Sequence, residues 1–153
     1  MTLDDIDLAI LRHIQNDARI NNSKLAEKVN LSETPCWRRW KRLEEAGYID
    51  GYRALLNRKK LGIQISSFTL ITMGNHEEES TLPFEEFAKE TEWIVMCHCI
   101  SGGADYMVHL VAKDMDEFFE RISSLRRIKG VSGLQSNISV KEIKSGTQMP
   151  LSD

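Results

Sequence analysis

The chain has 153 residues, 41% of them hydrophobic and 28% charged, with a formal net charge of -3. Those proportions exclude a disordered or fibrous protein, and the length suits one domain or two small ones. No apolar run approaches the roughly 20 residues needed to cross a bilayer, and the first residues, MTLDDIDLAI, are acidic where a secretory signal carries cations, so a cytosolic protein with no membrane partner is expected.

The first expected element is an amphipathic helix. Asp4 or Asp5 opens an acid-rich first turn, Leu3, Ile6, Ile10 and Ile14 recur at helical spacing, and Asn16-Asp17 ends the pattern. A second, short helix is expected to be capped by Ser23, with Leu25, Ala26 and Val29 on one side and Asn30 able to take the left-handed conformation at its end. Ser32 is the next N-cap candidate, Pro35 falls in the first turn where its missing N–H costs nothing, and Gly47 follows the last helical residue. A helix from about Glu33 to Ala46 results.

On a wheel of about 100° per residue, Cys36, Trp40 and Leu43 share the buried side of this third helix, while Thr34, Arg38, Lys41, Arg42 and Glu45 lie on the opposite arc. Arg39 and Trp37 sit on the flanks. Trp40 is expected in the core; Trp37 either touches a nucleic-acid backbone or covers the core edge. Two short helices joined by a tight turn, the second presenting cations, fit a helix-turn-helix whose recognition helix enters the major groove of double-stranded DNA. Strand formers on both sides of Asp50-Gly51 in YIDGYRALLN add an expected β-ribbon wing. The rival account is a solvated cationic face balanced by Glu44 and Glu45. The preceding helix, the turn and the wing favour DNA; the charge split agrees but is small, residues 1–60 holding 12 Lys+Arg against 9 Asp+Glu and residues 61–153 holding 8 against 14.

NRKKLG, residues 57–62, reads as a charged linker. Beyond it, IQISSFTLITM is a strand, and Leu82, Phe84, Phe87 and Ala88 mark a helix starting near Ser80 or Thr81. WIVMCHCIS and DYMVHLVA form a hairpin across Gly102-Gly103-Ala104, MDEFFERISSLRRI is a second amphipathic helix, and alternation from Leu134 to Lys141 gives a last strand. The order βαββαβ predicts a ferredoxin-like antiparallel sheet with both helices on one face, an α+β fold overall. The domains expected are therefore a winged helix-turn-helix over 1–56, a linker over 57–62 and a second domain over 63–153. The other face of the sheet needs a cover, and a second copy of the chain is the simplest one.

Three cysteines, Cys36, Cys97 and Cys99, make an odd count with no Cys-x-x-Cys pair. On a strand Cys97 and Cys99 face one side and His98 the other, so they do not converge on one metal ion. Core thiols are the expectation, with no metal and no cofactor, and His109 reads as an ordinary strand residue. Ser101-Gly102-Gly103-Ala104-Asp105 differs in kind: two glycines open backbone N–H groups to a carboxylate, and Asp105 can receive an ammonium, the two charged ends of a free amino acid. Turn chemistry alone favours the plainer role, in which the glycines make the turn and Asp105 bonds its backbone.

Over nearly its full length the chain resembles bacterial and archaeal transcription regulators of the Lrp/AsnC (feast/famine) family, through DDIDLAILRHIQNDARINNSKLAEKVNLSETPCWRRWKRLEEAGYIDGYRALLN, CISGGADYMVHL and GVSGLQSNISVKEIK. Thr34-Pro35-Cys36 and His98 are most similar to its leucine-responsive branch. The resemblance implies DNA contact through Ser32, Thr34, Pro35, Trp37, Arg38, Arg39, Lys41 and Arg42. It also implies a dimer assembling further, commonly to an octamer, and an amino-acid effector such as leucine or methionine held between dimers. Gly102, Gly103, Ala104, Asp105, Tyr106 and Ser136 would form that site. Ser136 stands where the family often has threonine, Gly103-Ala104 replaces larger residues, and Arg38 occupies a variable position, so neither effector nor operator can be transferred.

Two rivals belong to other classes. A ferredoxin-like domain can be an enzyme, although no nucleophile is assigned a base here. A sensor or assembly module without DNA binding leaves the cationic helix face unexplained.

Overall fold

The computed structural model describes residues 2–75, 77–146 and 148–151. The chain divides into two compact units, Met1–Leu55 with Lys144–Asp153, and Leu56–Ile143. The division expected from sequence differs at the C-terminus, where the described residues after Lys144 group with the first unit; its outer bounds, Met1 and Asp153, lie outside the described residues. The Gln15 carboxamide donates to Met149 O at 3.1 Å and accepts from Met149 N at 3.0 Å, and Arg12 Nε donates to Leu151 O at 3.2 Å. Leu151 also packs on the first core. A short extended stretch held by side chains has no periodicity, so no pattern in the sequence marks it.

The first unit holds α1 (Asp5–Asn16), α2 (Asn22–Lys28) and α3 (Glu33–Glu45). Asp4 caps α1 in a capping box with Asp7. Asn21, not Ser23, caps α2, its carboxamide accepting from Lys24 N at 2.9 Å. Both α2 and α3 end in Schellman motifs. Leu31 N donates to Ala26 O across Asn30 at φ 54°, and Tyr48 N donates to Leu43 O across Gly47 at φ 73°. These two left-handed residues set the α2–α3 turn and the exit from α3. Ile10, Ile14, Leu25, Ala26, Cys36 and Leu43 form the core.

Two expectations for this unit need correction. No strand forms between Gly47 and Asn57, so the expected β-ribbon wing is an extended segment without ladder partners among the described residues. Tyr52 is drawn to α3 instead, its hydroxyl accepting from Trp40 Nε1 at 2.7 Å and donating to Glu44 at 2.8 Å. Trp40 is accordingly half-buried, packing on the core while its indole N–H points outward to Tyr52. A tryptophan that carries a donor settles where the donor finds a partner.

The second unit is β1 (Ile65–Met73), α4 (Glu78–Glu90), β2 (Ile94–Cys99), β3 (Tyr106–Ala112), α5 (Met115–Arg126) and β4 (Val131–Ile138), with sheet order β2-β3-β1-β4 and every pairing antiparallel. This is the expected βαββαβ arrangement. One core joins Ile71, Met73, Val108 and Leu110 of the sheet to Phe84 and Ala88 of α4 and Phe118, Ile122 and Leu125 of α5, so both helices lie on one face. The opposite face carries Phe68 stacked on His109 at 4.5 Å, with Ser66 hydrogen-bonded to the imidazole at 2.7 Å. The helix α4 begins at Glu78, earlier than Ser80, and Glu77 occupies the N-cap position without a side-chain bond. Leu82, expected on its buried face, is 39% exposed. Residues 57–62 are not a slack linker: Ile63 N donates to Arg58 O and Asn57 caps Lys60 N, closing a turn.

Gly130 precedes β4 at φ 94°, and a Cβ there would stand 2.4 Å from Ser80 O. Gly130→Ala is expected to destabilise the second unit by on the order of 1–3 kcal/mol, since a positive φ and a backbone clash coincide. A urea midpoint indistinguishable from that of the unsubstituted protein would show that the β4 entry yields freely.

Candidate functional site

The exposed side of α3 is divided between cations that are already engaged and one that is not. Asp7 projects from the N-terminal turn of α1 with its side chain 1% exposed. Arg39 Nη1 donates to Asp4 at 2.6 Å and to Asp7 at 2.9 Å, and Arg42 Nη2 reaches both Asp7 oxygens at 2.9 and 2.8 Å. Lys41 is paired with Glu44 at 2.7 Å. The Asp4 carboxylate, followed by Asp7, makes the Arg39 guanidinium harder to deprotonate than usual, and Glu44 does the same for Lys41. Arg38 has no hydrogen bond or ion pair among the described residues.

Around these cations the other expected residues fall on the same surface. Ser32 occupies the α3 N-cap position but makes no capping bond with its side chain, which leaves the hydroxyl uncommitted. Thr34 and Pro35 are exposed, and Trp37 is 52% exposed on the flank. Pro35, Arg38, Arg39 and Arg42 line one open groove. The helix start is fixed from α2, where Asn22 Nδ2 donates to Glu33 O at 2.9 Å. A groove walled by guanidiniums beside a helix N-terminus suits phosphate oxygens and the acceptor edge of guanine. Sequence reasoning missed Asp7 as a partner of this surface. The available signal was its place in the otherwise apolar stripe Leu3, Asp7, Ile10, Ile14: an acid on a buried helix face requires a cation opposite.

The second candidate site is the β2–β3 turn. Gly102 (φ 131°) and Gly103 are exposed, and no neighbouring atom comes within 4 Å of where either Cβ would be. Ile100 N donates to Asp105 O and Asp105 N to Ile71 O, both at 2.9 Å, which anchors the turn to β1. The Asp105 Oδ2 accepts from Met73 N at 2.7 Å. Asp105 is thus half-buried and has the backbone-tying role that turn chemistry favours. Tyr106 is 5% exposed, its ring 4.7 Å from Phe84 and its hydroxyl donating to Glu85 at 2.6 Å. Burial first, and then Glu85, pushes its phenol well above the usual range.

Ser136 lies elsewhere. It pairs with Thr69 across β1 and β4 and accepts the Thr69 hydroxyl at 3.0 Å, in a groove of about 280 Å³ whose lining includes Phe119, Arg126 and Leu134. Because β3 and β4 flank β1 on opposite sides, the turn and Ser136 are two strand spacings, or roughly 10 Å, apart across the sheet before any offset along it. One protomer brings Gly102, Gly103, Ala104, Asp105 and Tyr106 together and leaves Ser136 out. Cys97 pairs with Val108 and packs on the core, whereas His98 pairs with Met107 on the other face. Burial raises the Cys97 thiol pKa.

Comparison with known proteins follows the same two-part division. A family model described as winged helix-turn-helix DNA-binding matches residues 3–50, and one described as Lrp/AsnC ligand binding domain matches residues 66–149. The chain is 34% identical over 152 residues to the transcriptional regulator AzlB of Bacillus subtilis, covering 99% of this chain and 97% of that one. It is 35% identical over 153 residues to the leucine-responsive regulatory protein of Rhizobium meliloti, covering 97% and 96%. A transcriptional regulator from Neisseria meningitidis solved as its L-Met complex superposes with a TM-score of 0.95 at 32% identity, over 98% of this chain and 97% of that chain.

Proposed function

The chain belongs to the Lrp/AsnC family and is a DNA-binding transcriptional regulator; from that premise we propose which surfaces do the work. DNA is held by the exposed side of α3, through Ser32, Thr34, Pro35, Trp37, Arg38, Arg39, Lys41 and Arg42. The observation that carries this is Arg38, an α3 cation without a hydrogen-bond or ion-pair partner among the described residues, set in one groove with Arg39 and Arg42. A dimer closed over the open sheet face, around Phe68 and His109, presents two such helices to half-sites about 34–36 Å apart. Dimers assemble further, to an octamer, and the protein works in the bacterial cytoplasm on nucleoid DNA without catalysing a reaction. Turnover of any amino acid would overturn that last point.

The effector is a free amino acid, with leucine and methionine the leading choices. The N. meningitidis relative was solved with L-methionine, as was the feast or famine regulatory protein of M. tuberculosis, which superposes at a TM-score of 0.85 with 25% identity. Its carboxylate lies on the Gly102–Ala104 backbone and its ammonium on Asp105, with Tyr106 behind; Ser136 reaches it from another protomer, since its own turn is too far. Binding shifts the balance among assemblies by no more than the difference in affinity between them.

The test is a melting panel of the twenty amino acids on the wild-type protein and on Asp105→Asn. Asparagine keeps an acceptor for Met73 N while removing the charge that an ammonium needs, so it separates the ligand role from the structural one. A ligand at a hundredfold excess over Kd stabilises by about 2.7 kcal/mol. The expected result is stabilisation by one apolar amino acid or a few, lost in the variant. No shift with any of the twenty would exclude an amino-acid effector.

A further inference from the structure

Asp7 is an acid buried beneath the cationic surface of a DNA-binding helix, where as a charge it can only weaken the attraction for phosphate. Its geometry gives a reason for its presence. Asp7 engages Nη1 of Arg39 and Nη2 of Arg42, two guanidiniums one turn apart on α3, and Asp4 accepts from the same Nη1 of Arg39. Each guanidinium has five donors on a rigid planar fork. Fixing one nitrogen of that fork orients the remaining donors and removes in advance part of the rotamer entropy that a long side chain loses on binding. The Arg42 side chain remains 49% exposed, so its unused edge faces solvent in the groove it shares with Arg38.

We propose that Asp7 is a positioning residue for DNA recognition: it locks Arg39 and Arg42 into fixed phosphate clamps and so sets the register in which the unpaired Arg38 meets a base edge. This rests on the proposal that α3 is the DNA-contacting helix. Phosphate contacts fix orientation while base contacts carry sequence, so misaiming the clamps degrades discrimination more than it degrades overall attraction.

The sign of one substitution separates this from a simple charge effect. Asp7→Asn keeps the shape and removes a negative charge, so electrostatics alone would tighten binding to every duplex. The positioning role requires the opposite for a preferred sequence. The probes are a duplex enriched by the wild-type protein from a random-sequence pool and a scrambled duplex of the same composition. Their affinity ratio is measured by fluorescence anisotropy on the full chain, with circular dichroism melting in parallel. The ratio is expected to fall roughly tenfold in Asp7→Asn, within the range of about 5- to 150-fold that one well-placed contact supplies, while binding to the scrambled duplex at low salt is kept or raised. Arg42→Lys, which retains the charge on an exposed side chain but not the fork, is expected to lower the ratio in the same direction and decides the matter if Asp7→Asn fails to fold. Equal tightening on both duplexes, or a melting change with an unaltered ratio in both variants, overturns the proposal. If Arg38→Ala also binds both duplexes as the wild type does, the assignment of DNA contact to α3 fails as well, and the two failures are thereby told apart.

Discussion

Replacing Arg38, Lys41 and Arg42 together by alanine will lower affinity for any duplex and flatten its dependence on salt. Each phosphate neutralised releases counterions and contributes about 0.9 to the slope of log K against log salt, so the loss is at most about 2.7 per helix, were all three cations on phosphate, and twice that for a dimer. The ion pairs refine this figure. Lys41 is already neutralised by Glu44 and Arg42 by Asp7, and a cation that keeps its internal partner releases fewer counterions when DNA arrives. Arg38→Ala, which removes a base contact, should lower affinity for the preferred duplex with little change of slope, whereas Arg42→Ala should flatten the slope by less than about 0.9 per helix and Lys41→Ala by less still. The measurement is a series of dissociation constants between low and physiological salt. A slope unchanged in the triple variant would remove this helix from the interface.

How far the sequence disclosed that surface follows from what each signal depends on. The C-terminal ends of α2 and α3 were legible: Asn30 and Gly47 take the left-handed conformation because the chain must turn there. The outward arc of α3 was legible because a wheel needs only spacing. The fate of individual cations was not, since it depends on α1, about 30 residues away in sequence, arriving with Asp4 and Asp7. The β-ribbon form expected for the wing is absent for a related reason. Strand propensity on both sides of Asp50-Gly51 cannot form a ribbon when Tyr52 finds Trp40 and Glu44 first, and an isolated two-stranded ribbon is marginal in water.

In the second unit the alternation of Leu134 to Lys141 and the hairpin at Gly102-Gly103 carried the sheet, and with it the βαββαβ order. Periodicity specified which residues face the helices, because a slip by one position would reverse every strand. It was silent on strand order, which placed Ser136 on the far side of β1 from the turn it was expected to join. The double nature of Asp105 was also hidden. Turn chemistry and resemblance each assigned it one task, and the structure lets one oxygen tie Met73 N while the carboxylate as a whole carries the charge an ammonium would need.

The core under that turn is where a single substitution should cost most. Phe84 is fully buried on α4, its ring packed against Tyr106 at 4.7 Å, and Tyr106 follows directly on Asp105. Phe84→Ala removes an aromatic side chain from a close-packed site whose walls, including Ile71, Val108 and Leu110, come from paired strands and cannot collapse into the gap. The expected loss is about 3–5 kcal/mol, the sum of lost transfer energy and the cavity left behind. Phe119 provides the control: the same residue type, 58% exposed on α5, whose truncation should cost well under half as much. Because the chain has two compact units, the readout must belong to the second one, and hydrogen exchange of the β1 and β3 amides in rising urea meets that need. The substitution also loosens the support of Tyr106, so amino-acid stabilisation should weaken before the sheet unfolds. A cost below about 1 kcal/mol, or one equal to that of Phe119→Ala, would mean that the space around Phe84 refills and that the turn does not depend on it.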